Sequence, residues 1–459
     1  MAVSEKLAPV AYRIGRWIFG GATRVYFRRV EVHDRERVPR GGGLLVVANH
    51  PATFTDAIVL ATALPRRLHF LAMAPIFEPW IRGFALRMCG VIPVHRRQDD
   101  PTQMSRNEDT FRACHELLDQ GGAVLIFPEG HSLTDRSVIP IKTGAARIAL
   151  GQDARPGQQG KLTLLPVGLH FVERTRFRSD VAVSVGPAID VGAHRALAAN
   201  DAQGAVRALT AEIQTALERL IVNVPDAEHV PLVDAVDRVY RGVEGRDDGP
   251  GVEFTRTVAE AVEFFAREDP ERVAEAGMRL RRYQRRLTYL DVSDRAVREM
   301  LPSGRRAFER VRLVFLGVAG LVPALAGYLV HAIPNRLCGF AGSRVSDPTL
   351  VTAVRISTGV VVYPLTYLGI GYWMHRSGWS PRNIALSLVA AAILGMFSVL
   401  YLSWLRHQRD RLRLVWHSIW RRRRVARLRR ERAELIRLFD QARQEFAQAT
   451  RAGADLPIA

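Results

Sequence analysis

Short apolar runs alternate with stretches of helical periodicity between residues 43 and 190. Apolar runs of this length, bounded by polar or Gly-containing turns, are typical of strands. They predict strands at 44–48, 68–72, 91–94, 123–127, 162–169 and 181–185. Helices are predicted between them at 56–64, 110–118 and 143–150. This alternation indicates an α/β domain, a class of fold that places its chemistry in the turns that follow strands.

Three long apolar stretches lie further along the chain, at 313–335, 356–374 and 384–405, and none contains Asp, Glu, Lys or Arg. Each is close to the roughly 20 residues that an α-helix needs to cross a bilayer. One such stretch would fit a buried helix of a soluble domain, but three in succession favour membrane helices. Pro323 and Pro364 interrupt the first and the second, so these two are candidates for a re-entrant or interfacial segment.

Helical periodicity dominates the remaining regions. Residues 1–30 mix apolar side chains and Trp17 with several arginines, which fits an amphipathic helix either on a membrane surface or on its own domain. The region before the apolar stretches shows no candidate chemistry. The predicted order is a membrane-interface helix at 1–30, an α/β domain at 31–190, a helical region at 191–310, membrane-embedded segments at 311–405 and a basic helical tail at 406–459.

The chain is strongly basic, with a formal charge of +19 and a pI near 10.8. From Arg406 onward, 15 arginines oppose 6 acidic residues, so a net +9 lies in the tail. A basic run directly after an apolar stretch follows the positive-inside pattern, which indicates anionic membrane lipids as a partner. We do not expect a nucleic-acid partner, because the run from Arg421 to Arg432 lacks the interleaved aromatic residues that stack on bases.

The cysteines and the N-terminal segment indicate in which cellular compartment the protein lies. Cys89, Cys114 and Cys338 are odd in number and lack metal-ligand spacing, which indicates a reducing compartment and no metal site. No apolar core with a cleavage site appears near the N terminus, so we do not expect a signal peptide. The catalytic domain and the basic tail are therefore both expected on the cytoplasmic side of a membrane. If the domain and the tail lie on the same side, the chain crosses the membrane an even number of times. One of the three apolar stretches should therefore not span the membrane.

The turn after the first predicted strand carries a candidate base. His50 ends that strand, and Asp56 lies near the start of the next predicted helix. Pro51 favours an extended conformation for His50, and Asp56 is near enough to accept the Nδ1 proton and leave Nε2 free as a base. A hydroxyl group needs such a base before it can attack a thioester carbonyl. The sequence has no Gly-x-Ser-x-Gly motif, so direct transfer without an acyl-enzyme is the simpler mechanism.

The segment from Asn49-His50-Pro51 to Asp56 resembles the first motif of the glycerolipid acyltransferases, the superfamily of glycerol-3-phosphate and lysophosphatidic acid acyltransferases. Three further segments resemble the other motifs in the family's order: Gly90-Val91-Ile92-Pro93-Val94-His95-Arg96, Phe127-Pro128-Glu129-Gly130 and Leu165-Pro166-Val167-Gly168. Four motifs in order form a specific signal. Most members have four residues between the His and the Asp, whereas this chain has five, a spacing that resembles bacterial and fungal members beginning Asn-His-Pro.

The resemblance implies an α/β acyltransferase domain with a mixed central sheet flanked by helices. Periodicity and the apolar stretches add the helical region and the C-terminal membrane helices that are expected to follow it. It implies that His50 is the general base and that Asp56 orients it. It assigns the acceptor phosphate to Arg96, whose guanidinium can form two parallel hydrogen bonds to a phosphate, although Arg97 offers the same chemistry. It ties Pro166 to binding of the acyl donor, although a plain core strand explains this proline as well.

Two further positions are candidates for substrate binding. The turn at Glu129 and Gly130 offers backbone N–H groups to an anion, whereas the carboxylate of Glu129 would repel a phosphate. We expect Glu129 to orient an arginine or to bind a glycerol hydroxyl. Lys142 precedes a predicted helix and is placed to meet a phosphate of the acceptor or of coenzyme A. An ordinary surface lysine is the alternative for Lys142.

The expected function is therefore transfer of a fatty acyl group from acyl-CoA or acyl-carrier protein to glycerol 3-phosphate or 1-acylglycerol 3-phosphate. Either donor is a co-substrate, and no cofactor is expected. The residues do not distinguish the two donors, nor glycerol 3-phosphate from a lysophospholipid as acceptor. The alternative is a non-catalytic scaffold that keeps the fold and binds acidic lipids through its basic tail, which the intact His50 and Asp56 argue against.

Overall fold

The computed structural model describes residues 2–78, 80–95, 107–129, 140–222, 224, 226–240, 252–298, 312, 315–420 and 422–454. The chain divides into two compact units. The first comprises Met1–Pro225 and Ala341–Val360, and the second comprises Asp226–Phe340 and Val361–Ala459. The segment Ala341–Val360 therefore belongs with the N-terminal unit, although it joins two of the apolar stretches.

A seven-stranded sheet forms the centre of the first unit. Neighbouring strands are parallel except β6 and β7, so the predicted mixed sheet is confirmed. The six predicted strands are all present, and β1 is an addition at the sheet edge. In the spatial order β1-β7-β6-β2-β5-β3-β4, the strands are β1 (Arg29–His33), β2 (Gly43–Ala48), β3 (Leu68–Met73), β4 (Val91–Val94), β5 (Ala123–Ile126), β6 (Leu162–Phe171) and β7 (Asp180–Val185).

Helices cover both faces of this sheet. Successive side chains of a strand point to opposite faces, so Leu44 and Val46 of β2 pack toward α1 and α2, while Leu45 and Val47 pack toward α4, α5 and α7. The helices of the first unit are α1 (Ala2–Tyr26), α2 (Phe54–Ala63), α3 (Trp80–Met88), α4 (Asn107–Asp119), α5 (Gly144–Asp153), α6 (Arg195–Asn200) and α7 (Ala202–Leu220).

Helix α1 packs on the domain with one face and exposes apolar side chains on another. Tyr12 is buried, and the Arg16 guanidinium donates to the Leu64 carbonyl at 2.8 Å, just beyond the end of α2. Ile14 and Trp17 lie exposed, Trp17 with 81 % of its surface accessible. The two placements considered for residues 1–30 are therefore compatible, since one face binds the domain and another remains apolar and exposed.

The second unit is helical throughout its described residues. Its core joins Val236 and Leu280 of the predicted helical region to Leu428 and Leu435 of the predicted basic tail. The two regions thus share one core, and their domain boundaries stay predictions. The helices that follow α7 are α8 (Val230–Tyr240), α9 (Val252–Glu268), α10 (Pro270–Leu290), α11 (Asp294–Arg298), α12 (Leu321–Ser343), α13 (Val351–Arg376), α14 (Pro381–Trp420) and α15 (Arg422–Ala454).

Three helical segments are long and apolar enough to cross a bilayer: Phe315–Ser343, Val351–Arg376 and Pro381–Asp410. They coincide with the three apolar stretches of the sequence. Pro323 lies in the first turn of α12, which begins at Leu321, and Pro364 lies inside α13, so neither of the two prolines ends its helix. The number of full crossings stays a prediction, since it depends on the bilayer as well as on helix length.

Arg66 ties three loops together at the edge of the sheet where β2, β3 and β5 begin. Its guanidinium donates to the carbonyl oxygens of Pro39, Gly42 and Gly121 at 2.9, 3.0 and 2.7 Å. The residue is only 9 % exposed. Because the three acceptors share one charged donor, its removal takes three hydrogen bonds from these loops at once.

We therefore predict that Arg66→Met destabilises the first unit by about 2 kcal/mol or more, the range for hydrogen bonds to a charged group. Turnover of the folded protein should change little, because Arg66 lies at the amino ends of the strands. Thermal unfolding in detergent measures the effect, with the exposed Arg40→Met as control. Equal melting temperatures for the two variants would contradict the assignment.

Candidate active site

The central strand β2 delivers His50 to the carboxyl edge of the sheet. Strands β2, β5 and β6 are parallel, so their carboxyl ends meet at that edge. Asn49 fixes the end of β2 to β6: its Nδ2 donates to the Leu169 carbonyl at 3.0 Å, and its Oδ1 accepts from the Leu169 N–H at 2.6 Å. This buried double hydrogen bond holds the backbone that carries His50.

His50 and Asp56 form the predicted pair. His50 Nδ1 lies 3.0 Å from Asp56 Oδ2, and the same oxygen accepts the Ala52 N–H at 2.8 Å. The Asp56 side chain is wholly buried, whereas that of His50 is 17 % exposed. An ionised carboxylate only accepts hydrogen bonds, so Nδ1 carries the proton and Nε2 is left as the basic nitrogen. The spacing of five intervening residues thus permits the pairing.

Burial acts on the electrostatics of the pair. It raises the pKa of the Asp56 carboxyl, and the hydrogen bond from His50 opposes that rise. The charge of Arg174 and the Ala52 N–H act in the same direction as His50. These donors keep a carboxylate available to His50 in a place without water contact.

The turn after β5 holds the other side of His50. The imidazole stacks on the ring of Phe127, with centroids 3.9 Å apart and planes inclined by 13°. The backbone N–H of His50 donates to Glu129 Oε1 at 3.3 Å. The first and third motifs of the sequence are therefore in contact, and Phe127 restricts rotation of the imidazole.

Glu129 is buried and close to a second carboxylate. Burial, together with the charge of Asp56, raises the pKa of Glu129 to about 7, against the lowering influence of the His50 N–H and the His50 charge. Glu129 therefore changes charge near neutral pH. Its expected role in orienting an arginine or binding a glycerol hydroxyl stays a prediction.

The contacts described so far do not include four other residues that the sequence predicted for the site: Arg96, Gly130, Lys142 and Pro166. Arg96 and Gly130 lie outside the described residues. Lys142 has an exposed side chain, and its backbone N–H donates to the Pro128 carbonyl at 2.8 Å, so it neighbours the turn that carries Glu129. Pro166 is buried in β6 opposite Val47, which fits the core-strand alternative; its role in donor binding stays a prediction.

Arg174 belongs to the site although the motifs do not include it. Its guanidinium donates to the Pro51 carbonyl at 2.8 Å. Residue 174 follows the carboxyl end of β6, which runs parallel to β2. That shared edge is the signal that could have identified it, because residues after parallel strands meet there.

The fold and the site define an α/β domain with a His–Asp pair at the carboxyl edge of its sheet. Residues 29–170 match the protein family described as Acyltransferase. This segment contains the strands β1 to β6, His50, Asp56 and Glu129. The chain thus contains a domain that matches this family, and the match covers residues 29–170 only.

Three curated relatives cover different shares of the chain. It is 31% identical over 196 residues to glycerol-3-phosphate O-acyltransferase 2 of Saccharomyces cerevisiae, covering 42% of this chain and 26% of that protein. It is 27% identical over 317 residues to glycerol-3-phosphate O-acyltransferase 1 of the same yeast, covering 63% of this chain and 41% of that protein. It is 30% identical over 139 residues to a 1-acyl-sn-glycerol-3-phosphate acyltransferase of Bacillus subtilis, covering 30% of this chain and 60% of that protein. The chain thus spans less than two thirds of each relative.

The pKa of Glu129 yields a prediction on stability. With a pKa of about 7 in the folded protein against an ordinary 4.5, the folded state holds a proton that the unfolded chain releases between these values. This contribution to stability is complete below pH 4.5 and is lost as the pH rises through 7. Glu129→Gln avoids that loss, so its melting temperature relative to wild type should rise from pH 5 to pH 8.

Thermal unfolding of both proteins over this pH range provides the measurement. Glu36→Gln, at an exposed carboxylate of the same unit, is the control and should show no such trend. A difference between Glu129→Gln and wild type that stays constant with pH would refute the buried, protonated state of Glu129.

Proposed function

We propose that this protein transfers a fatty acyl group from a thioester donor to a hydroxyl group of glycerol 3-phosphate or 1-acylglycerol 3-phosphate. The observation that carries the proposal is the His50–Asp56 pair, closed at 3.0 Å within the segment that matches the acyltransferase family. Nε2 of His50 is the basic nitrogen, on a side chain that retains some exposure.

The chemistry follows from that nitrogen. Nε2 of His50 removes the proton of the acceptor hydroxyl while the oxygen attacks the thioester carbonyl. The tetrahedral intermediate then breaks its C–S bond, the imidazolium returns the proton to the departing thiolate, and the products are an ester and a free thiol. Asp56 stabilises the imidazolium that forms between the two steps. Acyl-CoA and acyl-carrier protein supply the same thioester group, so the mechanism serves both.

Glycerol 3-phosphate is the first acceptor to test. The two yeast relatives named for that substrate match 42% and 63% of this chain, whereas the relative named for the 1-acyl derivative matches 30%. These two matches, over 196 and 317 residues, extend past the segment at 29–170 that matches the family model. This extent supports glycerol 3-phosphate over its acylated derivative.

A membrane location fits the apolar surfaces. Besides the three candidate spans, the first unit exposes Trp17 on α1 and Trp80 and Phe84 on α3, and Trp80 has 76 % of its surface accessible. Aromatic residues with such exposure are typical of the membrane interface. By the positive-inside rule we infer that the basic tail lies on the cytoplasmic side, and we expect the catalytic domain on the same side. An acyl chain would then reach His50 from the bilayer.

Activity should depend on His50. We predict that His50→Ala lowers kcat at least about a hundredfold, as removal of a general base usually does, with smaller effects on KM. The assay uses purified protein with acyl-CoA or acyl-carrier protein and a panel of acceptors. His33→Ala, at an exposed histidine of the same unit, is the control. Near wild-type turnover in folded His50→Ala would refute the mechanism, and an inactive wild type would favour the lipid-binding scaffold.

Arg96 should act on one substrate alone. Arg96→Ala is expected to raise KM for the phosphorylated acceptor about tenfold or more and to leave KM for the acyl donor nearly unchanged, because the lost hydrogen bonds belong to the phosphate. Arg97→Ala is the matched control on the neighbouring arginine. Equal increases for both substrates would assign the phosphate to another residue, either Arg97, if Arg97→Ala shows the selective effect, or Lys142.

A further inference from the structure

The turn between His50 and Asp56 contains a strained residue. Thr53 has φ 44° and ψ −120°, a backbone conformation that a β-branched side chain rarely adopts. Such a conformation costs on the order of 1–3 kcal/mol and persists only where surrounding contacts hold it. The backbone N–H of Asp56 donates to the carbonyl of this same Thr53 at 3.2 Å. The conformation of Thr53 therefore sets how α2 begins, and with it the position of the Asp56 carboxylate.

A residue nearly three hundred positions away holds Thr53. Its hydroxyl donates to Thr349 Oγ1 at 2.6 Å, across 296 positions of sequence. Thr349 in turn donates through its own hydroxyl to Asp347 Oδ1 at 2.7 Å, and its backbone N–H donates to the same oxygen at 2.8 Å. Thr349 is only 5 % exposed. Two hydroxyl groups in series thus end on a carboxylate, an arrangement that strengthens each hydrogen bond.

The same segment also holds the start of the turn. Thr352 donates its hydroxyl to the Arg174 carbonyl at 2.6 Å, and the Arg174 guanidinium donates to the Pro51 carbonyl at 2.8 Å. Tyr26 of α1 hydrogen-bonds Thr352 at 3.2 Å. Ile356, one helical turn further, is buried in the core on the α1 and α2 face of the sheet. Both ends of the 51–53 segment are therefore fastened by residues 347–356.

These residues come from the link between two candidate membrane helices. The first ends at Ser343 and the second begins at Val351. The composition of this link does not predict a role in catalysis, yet residues 341–360 belong to the first unit, which contains His50 and Asp56. The position of the two helix ends thus determines where Asp347 and Thr349 stand relative to Thr53.

We propose that Asp347 and Thr349 are positioning residues that hold the Thr53 turn and so set the orientation of His50 toward the acceptor hydroxyl. The inference rests on the proposed acyl transfer. Loss of the Thr349 hydroxyl leaves the Thr53 hydroxyl without this acceptor and lets the strained turn relax. Displacement of a base by a fraction of an ångström lowers the rate of proton transfer while the substrate contacts remain. The effect therefore falls on kcat rather than on KM.

The test compares Thr349→Val, which removes the hydroxyl, with Thr349→Ser, which keeps it. Thr349→Val should lower kcat about tenfold, which corresponds to about 1.4 kcal/mol, with KM for donor and acceptor nearly unchanged. Thr349→Ser should restore kcat to near wild type. Ser346→Ala, an exposed hydroxyl of the same link, is the control. Equal kcat for Thr349→Val and Ser346→Ala, equal losses in Thr349→Val and Thr349→Ser, or a loss confined to KM would each overturn the inference.

A readout without turnover separates this inference from the proposed function. Protein labelled with ¹³C at histidine gives a resonance for His50, assigned by its loss in His50→Ala. In Thr349→Val this resonance should change its chemical shift, while Ser346→Ala leaves it in place. An unchanged resonance would refute the positioning role even if the protein proved inactive. An inactive wild type with a resonance that responds to Thr349→Val would refute the acyl transfer alone.

Discussion

The buried carboxylate of Asp56 is the constraint on which the site depends. A carboxylate without solvent contact is costly unless donors compensate it, and its Oδ2 takes hydrogen bonds from His50 and from the Ala52 N–H. Both donors belong to one short turn, so the turn must close tightly around the carboxylate. This closure explains the strained backbone of Thr53 and the cross-link from Asn49 to β6.

The same constraint limits the charge of the site. Glu129 accepts the His50 N–H, and burial, with a smaller contribution from the charge of Asp56, raises the pKa of Glu129 to about 7. Glu129 therefore holds its proton to about pH 7, while Asp56 receives hydrogen bonds from His50 and from the Ala52 N–H. His50 can then become an imidazolium during turnover beside one full negative charge. The three groups therefore act as one coupled set.

The pattern of apolar and polar residues predicted those strands and helices that depend only on residues close in sequence. The apolar runs gave six strands, and strand order placed His50 after β2 with Asp56 in the next helix. Strand β1 escaped because Val30 and Val32 alternate with charged residues on an edge strand. The contact of Thr349 with Thr53 could not be predicted, since nothing in either segment marks a partner 296 positions away. Long-range hydrogen bonds of this kind follow from the fold and not from spacing.

Residues 341–360 belong to the first unit, and this bears on how the apolar helices are arranged in a membrane. The link between α12 and α13 hydrogen-bonds Thr53 and the Arg174 carbonyl within this unit. If the apolar helices lie in a bilayer, we therefore expect this link on the side of the membrane where His50 lies. Charge alone does not choose between the first two apolar stretches, so the prediction stays that α12 or α13 is the one that does not cross.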